Sequence, residues 1–198
     1  MKELWNERFA KEEFAYGKEP NQFFKESIDK LAPGKLLLLG EGEGRNGVYA
    51  AKLGWDVDAV DWSDEGKKKS EKLAEENNVK INYIVSDLSE FSPQENHYDA
   101  VGLIFLHLPP DLQKMVHHNA VSSLKSGGVV ILESYSKDQI KYSSGGPKDI
   151  NLLHSLEEIF TDFSDLDIIS FSKDNIHLNE SALHTGLADV IRYIGAKN

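Results

Sequence analysis

The residue types best suited to ligand chemistry lie in a glycine-rich segment that follows a short apolar run. This segment contains Gly40, Gly42, Gly44 and Gly47, and Asp61 comes 21 residues after the first of these glycines. Glycine permits sharp turns and lets a ligand approach main-chain atoms closely. A carboxylate at the end of the next strand can accept two hydrogen bonds from a ribose diol. Together these features predict a site for an adenosine-containing ligand.

The elements that must position this segment alternate between strand and helix patterns. Short apolar runs predict strands at 35–40, 55–60, 80–85, 98–105, 129–135, 166–171 and 187–194. Capping residues and helix-stopping glycines predict helices at 46–53, 63–78, 109–127 and 155–162. The last two strands have no strong helix between them and should pair as an antiparallel hairpin. We therefore expect an α/β fold, a doubly wound, Rossmann-like sheet of seven mostly parallel strands.

The pattern shows no internal repeat and no linker, which predicts a single domain over residues 1–198. We divide it into an N-terminal segment, 1–30, and a ligand-binding core, 31–198. Aromatic residues are concentrated at the start of the N-terminal segment, at Trp5, Phe9, Phe14, Tyr16, Phe23 and Phe24. Two interpretations stay open: the rings attach an N-terminal helix to the sheet, or they form a lid over the ligand site.

Composition excludes several classes of function. The formal net charge is −11, and such a surface repels phosphate backbones, so no nucleic-acid partner is expected. The absence of cysteine rules out disulfides, thiolate zinc sites and cysteine nucleophiles. His117 and His118 are adjacent and lack the i, i+4 spacing of a helical metal pair, so no metal site is predicted. No apolar run approaches the ~20 residues of a membrane span, and the start lacks a signal-peptide core, so a cytoplasmic protein is expected.

Two kinds of adenosine-containing ligand fit the glycine-rich segment. The spacing from Gly42 to Gly47 matches the dinucleotide fingerprint, which would make the chain a nicotinamide-dependent oxidoreductase. Glu41 and Glu43 line the same turn, however, and two carboxylates there would repel a pyrophosphate but tolerate a sulfonium cation. The single Tyr-x-x-x-Lys pattern, Tyr193 to Lys197, falls on a strand end, where the two side chains do not share a helical face.

Several motifs in order along the chain resemble the class I S-adenosylmethionine-dependent methyltransferases. They are Leu36–Gly44, Asp61, Ser86-Asp87-Leu88, Tyr98–Phe105 and Leu124–Gly128. The resemblance covers nearly the whole chain and implies the doubly wound fold already expected from the strand and helix pattern.

A second set of motifs narrows the resemblance to the tellurite-resistance and thiopurine-methyltransferase-like branch. The matching pieces are Trp5–Phe9, Tyr16–Asn21, Gly40–Asn46, His107–Pro110 and Gly145–Pro147. One position departs from the branch. Many of its members carry an acid inside the first strand where this chain has Leu38, so a polar partner for the turn is lost, and Glu41 is the candidate to replace it.

The resemblance implies S-adenosyl-L-methionine as cofactor and S-adenosyl-L-homocysteine as product. Backbone near Gly40 and Phe105 would hold the methionine amino group, and Asp61 would take the ribose hydroxyls. Asp87 would accept from the adenine amine, with main-chain contact from Leu88. Trp62 would flank the adenine, and Arg45 or the indole of Trp5 would hold the cofactor carboxylate. The full predicted cofactor-binding set is Trp5, Tyr16, Gly40, Glu41, Gly42, Gly44, Arg45, Asn46, Asp61, Trp62, Ser63, Asp87, Leu88 and Phe105.

The predicted reaction is in-line methyl transfer to a small molecule, with a soft sulfur, selenium or tellurium acceptor or another small anion. The aromatic faces of Tyr16 and Phe105 are suited to a sulfonium cation. His107 follows the fourth strand and is the candidate catalytic base, or else it shapes the acceptor pocket or caps the helix that begins at Pro109-Pro110. His184 and Arg192 could reach the site from the closing hairpin, or pair there with Glu180. A non-catalytic module that binds S-adenosylmethionine stays open as a third alternative.

Overall fold

The computed structural model describes residues 2–198, so Met1 of the expected N-terminal segment lies outside the described residues. The strands are β1 (Lys35–Leu39), β2 (Asp56–Asp61), β3 (Asn82–Val85), β4 (Tyr98–Ile104), β5 (Leu124–Tyr135), β6 (Asp167–Ser181) and β7 (His184–Ala196). The helices are α1 (Lys2–Phe9), α2 (Gln22–Ile28), α3 (Arg45–Lys52), α4 (Asp64–Glu76), α5 (Pro110–Ser123) and α6 (Leu156–Asp162).

All seven strands join one sheet in the order β3-β2-β1-β4-β5-β7-β6. The first five pair in parallel, whereas β7 pairs antiparallel with both β5 and β6. This confirms the expected doubly wound, mostly parallel sheet with an antiparallel C-terminal hairpin in a single domain. The chain order reverses between β1 and β4, and ligands of such sheets bind at the carboxyl ends of the strands at this switch point.

The apolar run of β1 becomes a central strand because both of its faces are covered. Leu37 and Leu39 pack in a core with side chains of α5 and α6. Leu36 and Leu38 face the other way and pack with side chains of α2 and α3. All four leucines are essentially inaccessible to solvent, which is typical of a parallel strand covered on both sides.

Two predicted capping sites are confirmed. Ser63 is the N-cap of α4, and its side chain accepts a hydrogen bond from the backbone N–H of Gly66. Ser155 and Glu158 form a capping box at the start of α6. The starts of α4 and α6 are therefore fixed by local signals that the sequence displays.

The fifth strand begins earlier than predicted, so the prediction of a helix as far as Gly127 was wrong. Helix α5 ends at Ser123, and Leu124 already pairs with Tyr98 of β4. Gly127 adopts a φ of 78° inside the strand, and its N–H donates to the carbonyl of Lys197. The glycines thus bend a strand where the sequence suggested that they stop a helix.

The closing hairpin is also longer than predicted. Strands β6 and β7 stay paired out to Ser181 and His184 across a two-residue turn. Most of β6 is exposed at the edge of the sheet, so it lacks the apolar alternation that marks a half-buried strand. The extra length brings Glu180 and His184 to the carboxyl edge where the candidate site lies.

Across residues 2–198, no helix is long and apolar enough to cross a membrane. Within the N-terminal segment, α1 packs on α4, and Phe9 and Phe24 are buried. These two rings attach the segment to the body of the protein, as one of the two interpretations expected.

Candidate functional site

The glycine-rich turn between β1 and α3 has a backbone conformation that residues other than glycine would adopt only with strain. Gly40, Gly42 and Gly44 have φ values of 71°, 65° and 91°. A Cβ at Gly44 would lie 2.0 Å from the hydroxyl oxygen of Ser70. The turn is held against β2 because the N–H of Gly40 donates to the carbonyl of Val60 at 2.8 Å. The side chains of Leu106, Phe9 and Ser70 lie within 3.2 Å of where a Cβ of Gly40, Gly42 or Gly44 would be, so only glycine lets the turn pack this closely.

Asp61 lies at the end of β2, beside this turn. Its carboxylate accepts hydrogen bonds from the N–H groups of Gly42, at 3.1 Å, and Ser63, at 2.9 Å. Burial raises the pKa of Asp61, although these backbone donors oppose the shift. Each carboxylate oxygen can accept a second hydrogen bond. The position and the donor-free lone pairs fit the role predicted for the ribose hydroxyls.

The loop after β3 runs alongside Asp61. The N–H of Ser86 donates to the carbonyl of Asp61 at 3.0 Å. Asp87 is the next residue of this loop and therefore lies close to the end of β2. One oxygen of Asp87 accepts from both the N–H and the hydroxyl of Ser89, each at 2.8 Å. Leu88 is buried in the core, and Trp62 is half-buried. Asp87 thus fixes its own turn, and the predicted adenine contacts stay a prediction.

Glu41 and Glu43 point into the protein instead of lining the ligand side of the turn. Glu41 accepts from the N–H of Gly47 at 2.7 Å, and burial raises its pKa to about 7. Glu43 accepts from the N–H of Ala15 and from Lys69, each at 2.8 Å. Both carboxylates therefore bind groups of the protein itself. They do not line the ligand side of the turn, so the expected repulsion of a pyrophosphate by these charges was wrong.

Arg45 is buried in a polar network that ties the N-terminal segment to the hairpin. Its guanidinium donates to Glu180 at 3.0 Å and to the carbonyl of Tyr16 at 3.1 Å. Glu180 also accepts from His184 at 3.0 Å and from Asn21 at 3.1 Å. Arg45 was one of two residues predicted to hold the cofactor carboxylate. Its cation is already paired with a buried carboxylate in this structure, and the predicted contact with the cofactor carboxylate stays a prediction.

The same network continues through Asn46 and Glu133. The side chain of Asn46 accepts from the backbone N–H of Asn21 at 2.9 Å, so it connects α3 to the N-terminal segment. Glu133 is fully buried and accepts from Asn21 at 3.0 Å and from Arg192 at 2.7 Å. Arg192 thus pairs with Glu133, whereas His184, whose pKa is lowered by burial, contributes a hydrogen bond to Glu180.

Arg8 is a cation that sequence reasoning missed. Its guanidinium lies 4.6 Å from the centre of the Trp5 ring and donates to the hydroxyl of Tyr16 at 2.7 Å. No carboxylate within residues 2–198 pairs with it in a salt bridge. The next residue, Phe9, packs against the turn, 3.2 Å from where a Cβ of Gly42 would lie. The signal that could have found Arg8 is its place in the Trp5–Phe9 motif, one helical turn after Trp5.

Aromatic rings form a wall where β4, β5 and β7 meet. Phe105 follows β4 with a φ of 51°, unusual for a residue that is not glycine, and its N–H donates to the carbonyl of Glu133. The centre of its ring lies 4.6 Å from the ring centre of Tyr135 and 4.8 Å from that of His184. The ring centres of Tyr16 and His184 are 4.6 Å apart. The two predicted aromatic residues, Tyr16 and Phe105, therefore both contact the ring of His184.

His107 lies behind this wall. Its Nδ1 is 2.9 Å from the carbonyl oxygen of Leu152, and its ring stacks on Tyr135 at 5.5 Å. Burial lowers the pKa of His107 to about 4, so the imidazole is neutral near pH 7. In residues 2–198 no group of three or more His, Asp or Glu side chains could hold a metal ion.

Comparison with known proteins places the chain in a family. The model of the family described as Tellurite resistance protein TehB matches residues 7–180. The chain belongs to the TehB family. This confirms the resemblance inferred from the motifs.

Curated relatives and solved structures agree with this family. Two Haemophilus influenzae proteins, each named Probable S-adenosyl-L-methionine-dependent methyltransferase TehB, are 28% identical over 112 residues. These residues are 56% of this chain but only 39% of the relative, so the match spans about two fifths of the curated TehB proteins.

Three solved structures share the fold. TehB from Haemophilus influenzae is 17% identical with a TM-score of 0.74, covering 100% of this chain and 67% of that one. The N-methyltransferase NodS from Bradyrhizobium japonicum, in complex with S-adenosyl-L-homocysteine, is 12% identical with a TM-score of 0.74, covering 99% and 97%. A structure concerned with converting a disulfide into a thioacetal group during echinomycin biosynthesis is 16% identical with a TM-score of 0.75, covering 100% and 92%.

Proposed function

We propose that the chain is an S-adenosyl-L-methionine-dependent methyltransferase acting on a small molecule, with a soft sulfur, selenium or tellurium nucleophile or another small anion as acceptor. The observation that carries the proposal is the glycine turn with Asp61 fixed beside it, within a chain of the TehB family. The names of the curated relatives support the same activity.

The residues present fit the cofactor from end to end. Asp61 would bind the ribose hydroxyls, and Asp87 and Trp62 would lie on the adenine side. The main chain of Gly40 and Phe105 would hold the amino group of the methionine portion. Arg8 would take the carboxylate, which replaces Arg45 in this role and keeps Trp5 as the ring that positions it.

Methyl transfer from a sulfonium needs alignment more than proton chemistry. S-adenosylmethionine supplies an electrophilic methyl group when bound. The protein's part is to hold the acceptor in line, about 3–3.5 Å from that methyl group, and to exclude water. Tyr16, Phe105 and His184 give this side of the site polarisable and uncharged rings, which suit a positive sulfur and a soft nucleophile.

The acidic surface supports a small acceptor over a nucleic acid. A net charge of −11 repels the phosphate backbone of a nucleic acid.

A methyl-transfer assay tests the proposal. The purified protein is incubated with methyl-labelled S-adenosylmethionine and, separately, with thiols, hydrogen selenide, selenite and tellurite. We expect label transfer to at least one of these acceptors, reduced strongly by Asp61→Asn. If the cofactor binds but no acceptor receives label, the chain is the non-catalytic binding module that the sequence left open.

A further inference from the structure

A buried tyrosine of β3 forms a hydrogen bond with the main chain of the glycine turn. The hydroxyl of Tyr83 lies 2.6 Å from the carbonyl oxygen of Gly42, and both residues are buried. The contact joins β3 to the turn across 41 positions of the chain. The proposed methyl transfer gives this buried hydroxyl no role of its own.

The hydroxyl of Tyr83 acts only as a donor in this contact. A carbonyl oxygen can only accept, so the hydrogen lies on the tyrosine. Burial raises the pKa of Tyr83, and the nearby carboxylates, with Asp61 the strongest of them, raise it further. Tyr83 therefore keeps its proton and is a permanent hydrogen-bond donor to the turn.

Gly42 connects this donor to Asp61. Its N–H donates to the carboxylate of Asp61 at 3.1 Å, while its carbonyl accepts from Tyr83. Each peptide group is planar and rotates as a unit, so the two hydrogen bonds fix the peptide groups on both sides of Gly42. Glycine has the greatest backbone freedom of all residues, and Gly42 has a φ of 65°. Loss of the Tyr83 hydroxyl would therefore free the main chain at Gly42 to change its orientation.

The sheet and α4 place Tyr83 close to this turn. In the parallel pairing of β2 with β3, Tyr83 lies two residues before the partner of Asp61, so the two side chains share a face of the sheet. A Cβ at Gly66 of α4 would lie 2.8 Å from the carbonyl oxygen of Gly42 and 3.0 Å from the hydroxyl oxygen of Tyr83. The helix therefore packs directly on the hydrogen bond between Tyr83 and Gly42.

Asp61 depends on Gly42 for its orientation. The N–H of Gly42 donates to one carboxylate oxygen and the N–H of Ser63 to the other. Two donors on different oxygens fix the plane of the carboxylate. A ribose diol needs that plane, because it presents two hydroxyl groups in a fixed relation to each other. Release of the Gly42 peptide would leave the carboxylate free to turn away from one of them.

We propose that Tyr83 positions Asp61 through the peptide groups of Gly42, and thereby sets the preference of the site for a ligand with an intact ribose diol. Tyr83 acts through the main chain, so it is a positioning residue. The inference rests on the proposed function, because it takes Asp61 as the group that binds the ribose of the cofactor.

The test compares adenosine with 2′,3′-dideoxyadenosine, which lacks both hydroxyls of the diol. Their affinities are measured by calorimetric displacement of S-adenosylhomocysteine. The wild-type protein should bind adenosine roughly 10- to 100-fold more tightly, the scale of hydrogen bonds to a charged group. Tyr83→Phe keeps the ring and removes the hydroxyl. It should lower this preference on the order of fivefold by weakening adenosine, and should leave 2′,3′-dideoxyadenosine within about twofold of its wild-type affinity.

Tyr98→Phe is the matched control. The hydroxyl of Tyr98 is also buried and donates to Asp58 at 2.9 Å, but Tyr98 begins β4 and so lies at the opposite edge of the sheet from the candidate site. This variant loses a comparable hydrogen bond and should keep the wild-type preference for adenosine. A variant that is merely less stable would behave in the same way.

Two further variants test the route from Tyr83 to Asp61. In an Asp61→Asn background, Tyr83→Phe should lower the preference for adenosine no further, because the carboxylate that it positions is gone. Gly66→Ala places a methyl group against the carbonyl of Gly42 and should lower the preference from the helix side. It also carries the test if Tyr83→Phe does not fold.

The proposal fails if Tyr83→Phe weakens both nucleosides equally or neither of them, since the hydroxyl would then serve folding alone. It also fails if the loss is as large in the Asp61→Asn background, or if Tyr98→Phe produces it too. A wild-type protein that binds S-adenosylhomocysteine but does not prefer adenosine would equally overturn it. Absence of S-adenosylhomocysteine binding by the wild-type protein would instead overturn the proposed function itself.

Discussion

The carboxylate of Glu41 accepts a hydrogen bond from the N–H of Gly47, 2.7 Å away in the first turn of α3. This N–H is one of the donors that a helix start leaves without a partner, and the N-cap residue, Gly44, has no side chain to satisfy it. Glu41 therefore does for α3 what an N-cap side chain does elsewhere.

The contact at Glu41 predicts a pH-dependent stability. Its pKa is raised to about 7 in the fold, against about 4.3 in an unfolded chain. The folded state binds the proton more tightly, so this group's contribution is complete below about pH 4 and is lost as pH rises through 7. Between pH 5.5 and 8 the wild-type protein should lose on the order of 2 kcal/mol of unfolding free energy from this group.

Glu41→Gln removes the titration but keeps an oxygen for Gly47. Urea unfolding at pH 5.5 and 8 should show that the variant's advantage over the wild-type protein grows with pH. Glu90→Gln, at an exposed position, should show no such trend. An equal stability difference at both pH values would contradict the assignment of this titration to Glu41.

Gly44 and Gly127 both have a left-handed φ, but a Cβ would clash with a neighbouring residue only at Gly44. Alanine substitutions at the two positions therefore separate backbone strain from steric overlap. At Gly127 a Cβ would meet nothing within 4 Å, so Gly127→Ala should cost only the backbone strain of about 1–2 kcal/mol. At Gly44 a Cβ would lie 2.0 Å from the hydroxyl oxygen of Ser70. Gly44→Ala should therefore cost about 1–3 kcal/mol more in denaturant unfolding, and Ser70→Gly should recover part of that excess. Equal costs at the two glycines would count against the tight packing of the turn on α4.

Arg8 can be tested with a pair of ligands that differ only in the amino-acid portion. Arg8→Met should weaken S-adenosylhomocysteine roughly 10- to 100-fold, the scale of hydrogen bonds to a charged group. It should leave 5′-deoxy-5′-methylthioadenosine unchanged, because that ligand has the nucleoside and sulfur but no carboxylate. Calorimetry measures both affinities. An equal loss for the two ligands would assign Arg8 to the structure of the N-terminal segment and not to the carboxylate.

The buried pair of Arg45 and Glu180 predicts a strong coupling in stability. Arg45→Met leaves the Glu180 carboxylate with only His184 and Asn21, and should cost about 3–5 kcal/mol in urea unfolding. The double variant Arg45→Met, Glu180→Met should lose less than the sum of the single variants, by at least about 1 kcal/mol. Additive losses would show that the two side chains do not share one network.

Local patterns predicted much of the fold. The leucines of β1 are buried on both faces, so an unbroken apolar run was enough to identify a central strand. Ser63 and Ser155 bond to backbone groups three residues ahead, which is why their spacing fixed the helix starts. The position of Asp61 followed from the same reasoning, because only the end of β2 and the turn after β1 were needed to place it.

Features that depend on distant parts of the chain were not predictable. The pairing of Arg45 with Glu180 joins positions 135 residues apart, and nothing local distinguishes that arginine from one facing a ligand. The inward turn of Glu43 depends on Ala15 and Lys69, two other elements. Tyr135 ends an ordinary buried strand, and only the folded structure shows that the ring of His107 stacks on it with centres 5.5 Å apart.

Calorimetric titration with S-adenosylhomocysteine and with NADH tests the central claim most directly. The account predicts saturable binding of S-adenosylhomocysteine, weakened by roughly 1.5–3 kcal/mol in Asp61→Asn, and no heat with NADH. Asp56→Asn, at the exposed opposite end of β2, is the matched control and should bind like the wild-type protein. Tight binding of NADH without heat from S-adenosylhomocysteine would contradict the account, as would S-adenosylhomocysteine binding that Asp61→Asn leaves unaltered.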